Sequence, residues 1–416
     1  MKYVSSIEGN KKIQKDMKII INELKKSIPG ILSIILTGGF SRGEGPIKKI
    51  GKEFHPYNDY DIQIISSKDV DKDKIDEIST KISKKIGHKG ILNFYPFKKE
   101  EQKIVDNFYI DLKCDTPKEL KKLLPRIRTY ELRNNSLVLW GKDLRKIIPN
   151  YELKKIPLSE GAKLLLDRMG QLIEYYSTKK IYDKEFLSYV IQQAYTACCT
   201  SLLLLVKKYD IGYLKSANKL KEIYQKEFPE LYKKIPDLDD KILQYVKWRI
   251  NPNKPLIKDI KKEWFIARKN LLEVSRYFFS KFLEKDIKNN EELSKAIFNM
   301  QKKFYNPYLK KIINLGGAEN LLLPFVSLLL KYKYYKRLKK IKINKPSVFF
   351  TRSPDLVIFS SLIYLISSIN EEGVDENILK KGQEILRRVY PSKSKNWENT
   401  SIDYANAYIA FFLQKI

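Results

Sequence analysis

Residues 31–66 read ILSIILTGGFSRGEGPIKKIGKEFHPYNDYDIQIIS and contain two strand patterns with a glycine-rich turn between them. The first pattern, residues 31–36, is a short apolar run rich in isoleucine, and the glycine pair after it ends the run too early for a helix. The second pattern, residues 58–66, alternates polar and apolar side chains, as a half-buried strand does. The stretch therefore predicts two strands of one sheet.

Two carboxylates, Asp59 and Asp61, fall on the same face of the second predicted strand, because side chains alternate sides along a strand. They lie about 7 Å apart along it. Like charges at that spacing repel each other, and a divalent cation is their usual neutralising partner. Backbone N–H groups of a glycine-rich turn bind phosphate oxygens. The turn and the carboxylate pair together predict a site for a nucleoside triphosphate.

The order of these motifs resembles the nucleotidyltransferase superfamily, which includes DNA polymerase β, the CCA-adding enzymes and the aminoglycoside nucleotidyltransferases. The resemblance rests on GG-x-S at Gly38, Gly39 and Ser41, followed by D-x-D at Asp59 and Asp61. The longer form, GGFSRGEG followed by PYNDYDIQII, is most similar to a poorly characterised microbial branch. It departs from the compact members because nineteen residues separate Gly39 from Asp59, which leaves the placement of residues 46–57 open.

The resemblance implies a third carboxylate on a strand beside the D-x-D strand. Residues 107–115 carry a strand pattern with Asp111 at its centre, and its apolar flanks favour this residue. Asp115 is the alternative. Thr116 and Pro117 directly after it indicate a helix start, which Asp115 would cap.

The resemblance also implies two Mg²⁺ or Mn²⁺ ions with distinct roles. Asp59 and Asp61 would hold the ion that bridges the triphosphate, and with Asp111 they would hold a second ion that activates the acceptor hydroxyl. Gly38 and Gly39 would let the backbone approach the phosphates closely.

Three further groups of side chains are candidates for substrate contacts. Ser41 would hydrogen-bond a phosphate oxygen, and Arg42 would clamp the triphosphate through two hydrogen bonds. Glu44 is either a partner of Arg42 or an ordinary turn carboxylate. The candidates on the acceptor side begin the helical region, where they could equally form surface ion pairs along a helix: Glu160, Lys163 and Arg168.

The predicted fold class is α+β. Strand and helix patterns alternate over residues 1–155, which predicts a nucleotidyltransferase-type catalytic domain on a mixed sheet, with a strand at 90–97 and a basic helix at 117–132 among its elements. Helical patterns then dominate. They predict a helical substrate-side domain at 156–286 and a C-terminal helical domain at 287–416.

The chain is strongly basic, with 80 Lys and Arg against 49 Asp and Glu and a formal net charge of +31. Polyanionic partners such as nucleotides, nucleic acid or an anionic membrane surface would explain the excess, and so would the composition of an AT-rich genome. Residues Lys331–Lys342, KYKYYKRLKKIK, interleave cations with aromatic rings and are a candidate nucleic-acid contact. They are equally typical of an exposed helix end whose tyrosines pack inward.

Three cysteines cannot form a disulfide framework, which predicts a reducing, cytoplasmic location. Two histidines without a cysteine cluster argue against a zinc site. The N-terminal residues show no apolar signal-peptide core. The longest apolar runs stop short of the roughly 18 residues that cross a bilayer. We therefore expect a soluble protein without membrane insertion.

Two classes of function remain open from the sequence. The first is a metal-dependent nucleotidyltransferase that moves a nucleoside monophosphate from a nucleoside triphosphate to an unidentified hydroxyl, on a small molecule, a protein or an RNA end, with release of pyrophosphate. The alternative is a nucleic-acid-binding protein that uses the nucleotidyltransferase fold as a scaffold. The three predicted acids favour the enzyme, because a scaffold does not need converging carboxylates.

Overall fold

The computed structural model describes residues 2–57, 59–88, 108–174, 176, 184–253, 256–312 and 321–412. Its N-terminal part contains, in chain order, α1 (Ile7–Ser27), β1 (Ile31–Leu36), α2 (Gly38–Ser41), β2 (Ile47–Ile50), β3 (Glu53–Pro56), β4 (Tyr60–Ser66), α3 (Lys72–Lys85), β5 (Ile110–Asp115), α4 (Pro117–Leu120), α5 (Ile127–Asn134) and β6 (Leu137–Gly141). Two short 3-10 turns, Arg145–Ile147 and Leu153–Lys155, lead to the helical part.

Four strands form a mixed sheet in the order β5-β4-β1-β6. Strand β1 runs antiparallel to β4 and β6, whereas β4 runs parallel to β5. On one face, Tyr60, Ile62 and Ile64 join a hydrophobic cluster with α1 and α3. On the other face, Ile35 and Ile65 belong to a smaller cluster. The alternation predicted for the second strand is therefore confirmed.

Three predicted elements need comment. The loop whose placement the sequence left open forms an antiparallel hairpin of β2 and β3. The single basic helix predicted at 117–132 is wrong, because the structure has two short helices, α4 and α5, on either side of Pro125. Proline lacks the N–H that a helix needs and disfavours helical backbone in the residue before it. The strand predicted at 90–97 lies outside the described residues.

The second part of the chain is helical. It contains α6 (Leu158–Glu174), α7 (Lys184–Leu205), α8 (Tyr213–Glu227), α9 (Pro229–Lys234), α10 (Leu238–Ile250), α11 (Ile260–Leu283), α12 (Asn290–Asn299), α13 (Gln301–Ile312), α14 (Leu323–Lys340), α15 (Pro354–Ser367), α16 (Glu376–Leu386) and α17 (Trp397–Phe412). A 3-10 turn, Pro346–Phe350, follows α14.

One hydrophobic cluster runs through this helical part, from Ala162 in α6 to Ala410 in α17. Trp264 is fully buried in it, stacks on Tyr176 at 4.0 Å between ring centroids, and donates its indole N–H to the Leu172 carbonyl at 3.1 Å. Helices on both sides of residue 286 contribute to the cluster, so the domain boundaries at 155 and 286 stay predictions. The α+β class is confirmed.

No helix within the described ranges is both long and apolar enough to cross a membrane.

Candidate active site

The glycine turn after β1 lies directly against the D-x-D strand. Strand β1 pairs with β4 up to Leu36, and the next residue, Thr37, donates its backbone N–H to the Asp61 carbonyl at 2.9 Å. Gly38 then adopts a φ of +71°, and a Cβ atom there would lie 2.2 Å from Asp61 Oδ2. Only glycine fits this position, because any side chain would displace the carboxylate.

Asp61 and Asp111 face each other across the parallel pair. They are register partners on β4 and β5, where neighbouring strands run about 4.8 Å apart. Asp59, just before β4, lies two residues from Asp61 and thus on the same side of the strand. The three carboxylates thus lie near the beginning of β4 and β5, beside the glycine turn that follows β1, and the charges of Asp59 and Asp111 act on Asp61.

Burial and repulsion from neighbouring acids raise the pKa values of Asp59 and Asp61. Burial, then the charge of Asp111, raises the pKa of Asp59, and Arg249 and Tyr109 oppose that rise. Burial, followed by the charges of Asp59 and Asp111, raises the pKa of Asp61 to about 8. The charged forms of both acids are therefore costly here without a counter-ion.

The donor set fits a divalent cation. Mg²⁺ and Mn²⁺ take oxygen ligands, and Asp59, Asp61 and Asp111 offer carboxylate oxygens at a half-buried site where a cation would relieve their repulsion. In the arrangement of the described residues, however, no group of three or more Asp, Glu, His or Cys side chains is placed to hold a metal ion. The assignment of Asp59, Asp61 and Asp111 as metal ligands stays a prediction.

Arg42 lies between two carboxylates. Its Nε is 3.4 Å from Glu44 Oε2 and its Nη1 is 3.5 Å from Glu131 Oε1, while its guanidinium covers the Tyr213 ring at 5.1 Å. Burial alone would lower the pKa of Arg42, but Glu131, Tyr213 and Glu44 raise it overall. The contact with Glu44 that the sequence left open is present, and the phosphate clamp at Arg42 stays a prediction.

Ser41 is tied to the backbone of the turn. Its hydroxyl lies 2.8 Å from the Gly38 carbonyl and 2.9 Å from the Asn135 carbonyl, both of which can only accept. The hydroxyl therefore fixes the turn against the loop before β6. It has one hydrogen, so it can meet a phosphate oxygen only by releasing these carbonyls.

Asp115 lies on the same face as Asp111, four residues further along β5. Its Oδ2 accepts a hydrogen bond from Gln63 Nε2 at 2.9 Å. It does not cap the following helix, because Thr116 does so in a capping box with Glu119. The predicted alternative role as a helix cap is therefore wrong for Asp115.

The three acceptor-side candidates on α6 have other contacts. Glu160 accepts from the Tyr308 hydroxyl and from the Ile127 backbone N–H, which begins α5. Lys163 lies over the Phe412 ring at 5.4 Å. Arg168 donates to Gln171 Oε1 at 2.6 Å. Its charge lowers the pKa of Tyr189, whereas the charge of Asp59 raises it. All three stay predictions on the acceptor side.

Sequence reasoning missed the side chains that the helical part brings to the acids. Arg249 on α10 is buried, and its charge opposes the rise in the pKa of Asp59. Its guanidinium donates to the Tyr213 hydroxyl at 3.2 Å and to Gln192 Oε1 at 3.3 Å. No local pattern identifies Arg249. Tyr109, which hydrogen-bonds Asp59, was open to prediction because it lies two residues before Asp111 on one strand face.

Comparison with known proteins adds a structural likeness to this description. No family model and no curated protein matches the chain. The crystal structure of spectinomycin adenyltransferase AAD(9) from Enterococcus faecialis with ATP and spectinomycin shares 16% sequence identity with this chain at a TM-score of 0.35. The likeness covers 63% of this chain and 99% of that one. At this level it carries no weight for function, which rests on the site itself.

Proposed function

We propose that this protein is a metal-dependent nucleotidyltransferase. It would transfer a nucleoside monophosphate from a nucleoside triphosphate to a hydroxyl of an acceptor, with release of pyrophosphate. The acceptor class stays open among small molecules, proteins and RNA ends.

One observation carries the proposal: Asp61 stands opposite Asp111 across β4 and β5 while the Gly38 backbone lies against the Asp61 carboxylate. A solvated strand edge needs neither a half-buried pair of acids nor a glycine whose backbone lies against one of them. A nucleotide site needs both, because phosphates must approach the backbone closely and their charge must be neutralised beside the acids.

Nucleotidyl transfer exchanges one oxygen bond of the α-phosphorus for another. The acceptor hydroxyl loses its proton to solvent or a nearby base, its oxygen bonds to the α-phosphorus, and the bond to the bridging oxygen of pyrophosphate breaks. Bound Mg²⁺ or Mn²⁺ would neutralise phosphate charge and make the hydroxyl more acidic. Asp59 and Asp61 would hold the triphosphate-side ion, Asp111 would complete the acceptor side, and Gly38 would leave space for the phosphates.

Labelled transfer tests the proposal directly. The protein is incubated with each α-labelled nucleoside triphosphate, Mg²⁺ or Mn²⁺, and fractions of cell extract or total RNA, and both acceptor labelling and pyrophosphate are measured. Asp111→Asn should reduce both products by about a hundredfold or more. Asp115→Asn is the matched control, because it changes an acid on the same strand face and can keep the bond from Gln63.

The outcome separates this enzyme from a scaffold that binds nucleic acid. Metal-dependent label transfer that Asp111→Asn removes and Asp115→Asn keeps supports the enzyme. Loss of activity in Asp115→Asn alone would move the third acid to that position. RNA binding without label transfer to any fraction would favour the scaffold.

A further inference from the structure

The outer face of α14 exposes large apolar side chains. Tyr334 and Leu338 on its opposite side are fully buried. The exposed residues recur at spacings of three and four, so they form one stripe on the helix and the turn before it. With one residue of the following 3-10 turn they make up what we name the apolar patch: Leu321, Phe325, Leu328, Leu329, Tyr332 and Phe350.

Phe350 is 90% exposed and Leu321 is 79% exposed. Isolated exposed apolar side chains are common on protein surfaces, whereas several of them in one patch indicate an interaction site.

The segment that carries this patch has only cationic charged residues. Residues 321–354 contain nine Lys and Arg and no Asp or Glu. In the described part of the chain none of the nine lies within 4.0 Å of a carboxylate, although Lys331 donates to the Phe349 carbonyl and Arg337 to the carbonyls of Ala410 and Phe411. Lys336, Lys339 and Lys340 are exposed on the C-terminal half of α14. The helix is therefore apolar in its first half and basic in its second.

Three occupants differ in chemistry. A second copy would bring nine cations toward nine cations, because neither copy has an acid here. Single-stranded RNA would meet the charge and could stack on Phe325, Tyr332 and Phe350, but the leucines of the patch offer bases nothing comparable. Among the tyrosines of the basic run, Tyr334 is buried, and Tyr335 packs on Phe349 at 5.3 Å and donates to Asn344.

We infer that the outer face of α14 docks on the surface of an anionic lipid bilayer. The apolar patch enters the boundary between headgroups and acyl chains, and the lysines remain at the level of the lipid phosphates. This mode places a helix on the membrane plane and needs no spanning segment, in keeping with the absence of one from the described ranges. Of these three occupants, the anionic bilayer is the one that offers an apolar medium to every side chain of the patch together with complementary charge.

Vesicle flotation with the full chain tests the inference. The probes are vesicles of phosphatidylcholine alone and of phosphatidylcholine mixed about two to one with phosphatidylserine. The charge variant carries Lys336→Gln, Lys339→Gln and Lys340→Gln. Its matched control carries the same change at three exposed lysines of α1: Lys11, Lys15 and Lys18.

The apolar variant carries Phe325→Gln and Leu328→Gln, and its control carries Ile7→Gln and Ile50→Gln, which change two exposed isoleucines elsewhere. We expect the parent to bind anionic vesicles and not neutral ones. The charge variant should bind about a hundredfold more weakly, at about fivefold per lysine. The apolar variant should bind about tenfold more weakly, and both controls should bind like the parent.

Several results would overturn the inference. If the apolar variant bound vesicles as tightly as the parent, the protein would be adsorbing through its charge alone, without insertion of the apolar patch. No vesicle binding by the parent would reject it, and two companion measurements would then name the occupant. Dissociation of a parent dimer by the apolar variant would indicate a second copy. RNA affinity lost only in the charge variant would indicate nucleic acid. Thermal unfolding of every variant checks that each is folded.

Discussion

Asp61 has separate roles for its backbone and its side chain. Its carbonyl accepts from Thr37 N–H and holds the glycine turn, while its carboxylate faces Asp111 and lies against Gly38. Burial and the charges of Asp59 and Asp111 raise the pKa of Asp61 to about 8, from an ordinary value of 3.8. The folded state therefore holds a proton that the unfolded state releases, so this acid destabilises the fold progressively as pH rises between those two values.

Replacing Asp61 by Asn should therefore stabilise the metal-free protein in a pH-dependent way. The gain should be small near about pH 4, where the carboxyl is protonated in the folded state and still substantially protonated in the unfolded state, and largest above about pH 8, where the parent must bury a charge. Thermal unfolding in the presence of a chelator measures it. Asp69→Asn, at an exposed position, should show no such trend. An equal gain at both pH values would contradict this account of Asp61.

Substitutions at Gly38 and Gly51 distinguish the cost of backbone strain from the cost of a clash with the acids. Gly38 and Gly51 both have positive φ, but a Cβ at Gly38 would clash with Asp61, whereas nothing lies within 4 Å at Gly51. Gly51→Ala should cost about 1 kcal/mol of stability from backbone strain alone. Gly38→Ala should cost more and abolish Mg²⁺–nucleotide binding in calorimetry. Unchanged binding in Gly38→Ala would show that the phosphates do not approach this turn.

Helix α8 obtains its N-terminal cap from a distant loop. Its N-cap residue is Gly212, which has no side chain to offer. Glu44 accepts from the backbone N–H groups of Tyr213 at 2.9 Å and Leu214 at 3.1 Å, and it also pairs with Arg42. A negative charge at a helix N-terminus is favourable, so the glycine turn and the helical part stabilise each other here.

Glu44→Gln should therefore loosen both elements. We expect a loss of about 1–2 kcal/mol in the free energy of unfolding, because the helix loses its charged cap and Arg42 loses one of two partners. Hydrogen exchange should accelerate at the first turn of α8. Glu53→Gln, at an exposed position of the hairpin, serves as control. Unchanged exchange at Tyr213 and Leu214 would rule out the cap.

At the scale of the whole molecule, the sheet part and the helical part meet around the acids. Arg249 joins them, since it contacts Tyr213 and Gln192 within the helical part while its charge acts on Asp59. Lys48 and Tyr57 of the hairpin region both reach Glu185 at the start of α7. The site therefore depends on how the two parts pack and not on the sheet alone.

Arg249→Gln should accordingly destabilise the protein by about 2–4 kcal/mol, because it removes a buried guanidinium and leaves its partners unsatisfied. It should also weaken nucleotide binding, since Asp59 loses the cation that favours its charged form. Chemical unfolding and calorimetry measure the two effects. Lys247→Gln, exposed on the same helix, should change neither. Stability equal to that of the parent would show that Arg249 does not join the two parts.

The sequence determined much of the sheet and predicted which acids would lie together on it. Apolar periodicity identified β1, β4 and the buried stripes of α1 and α3, because burial of one face imposes a regular repeat on neighbouring residues. The same period placed Asp59 and Asp61 together, and the apolar flanks distinguished Asp111 from Asp115. These features depend on residues close together in the sequence, so sequence patterns can predict them.

Tertiary structure alone decided what surrounds those acids. Three features of the site join residues that are 50 to 190 positions apart in the chain. They are the register of Asp61 with Asp111, the cap that Glu44 gives α8, and the action of the Arg249 charge on Asp59. The sequence predicted phosphate contacts for Ser41 and Arg42, and only the structure shows the protein groups that hold each of them: carbonyl oxygens for Ser41, and Glu44 and Glu131 for Arg42. A side chain's partners depend on which distant elements pack against it, and no local repeat encodes that choice.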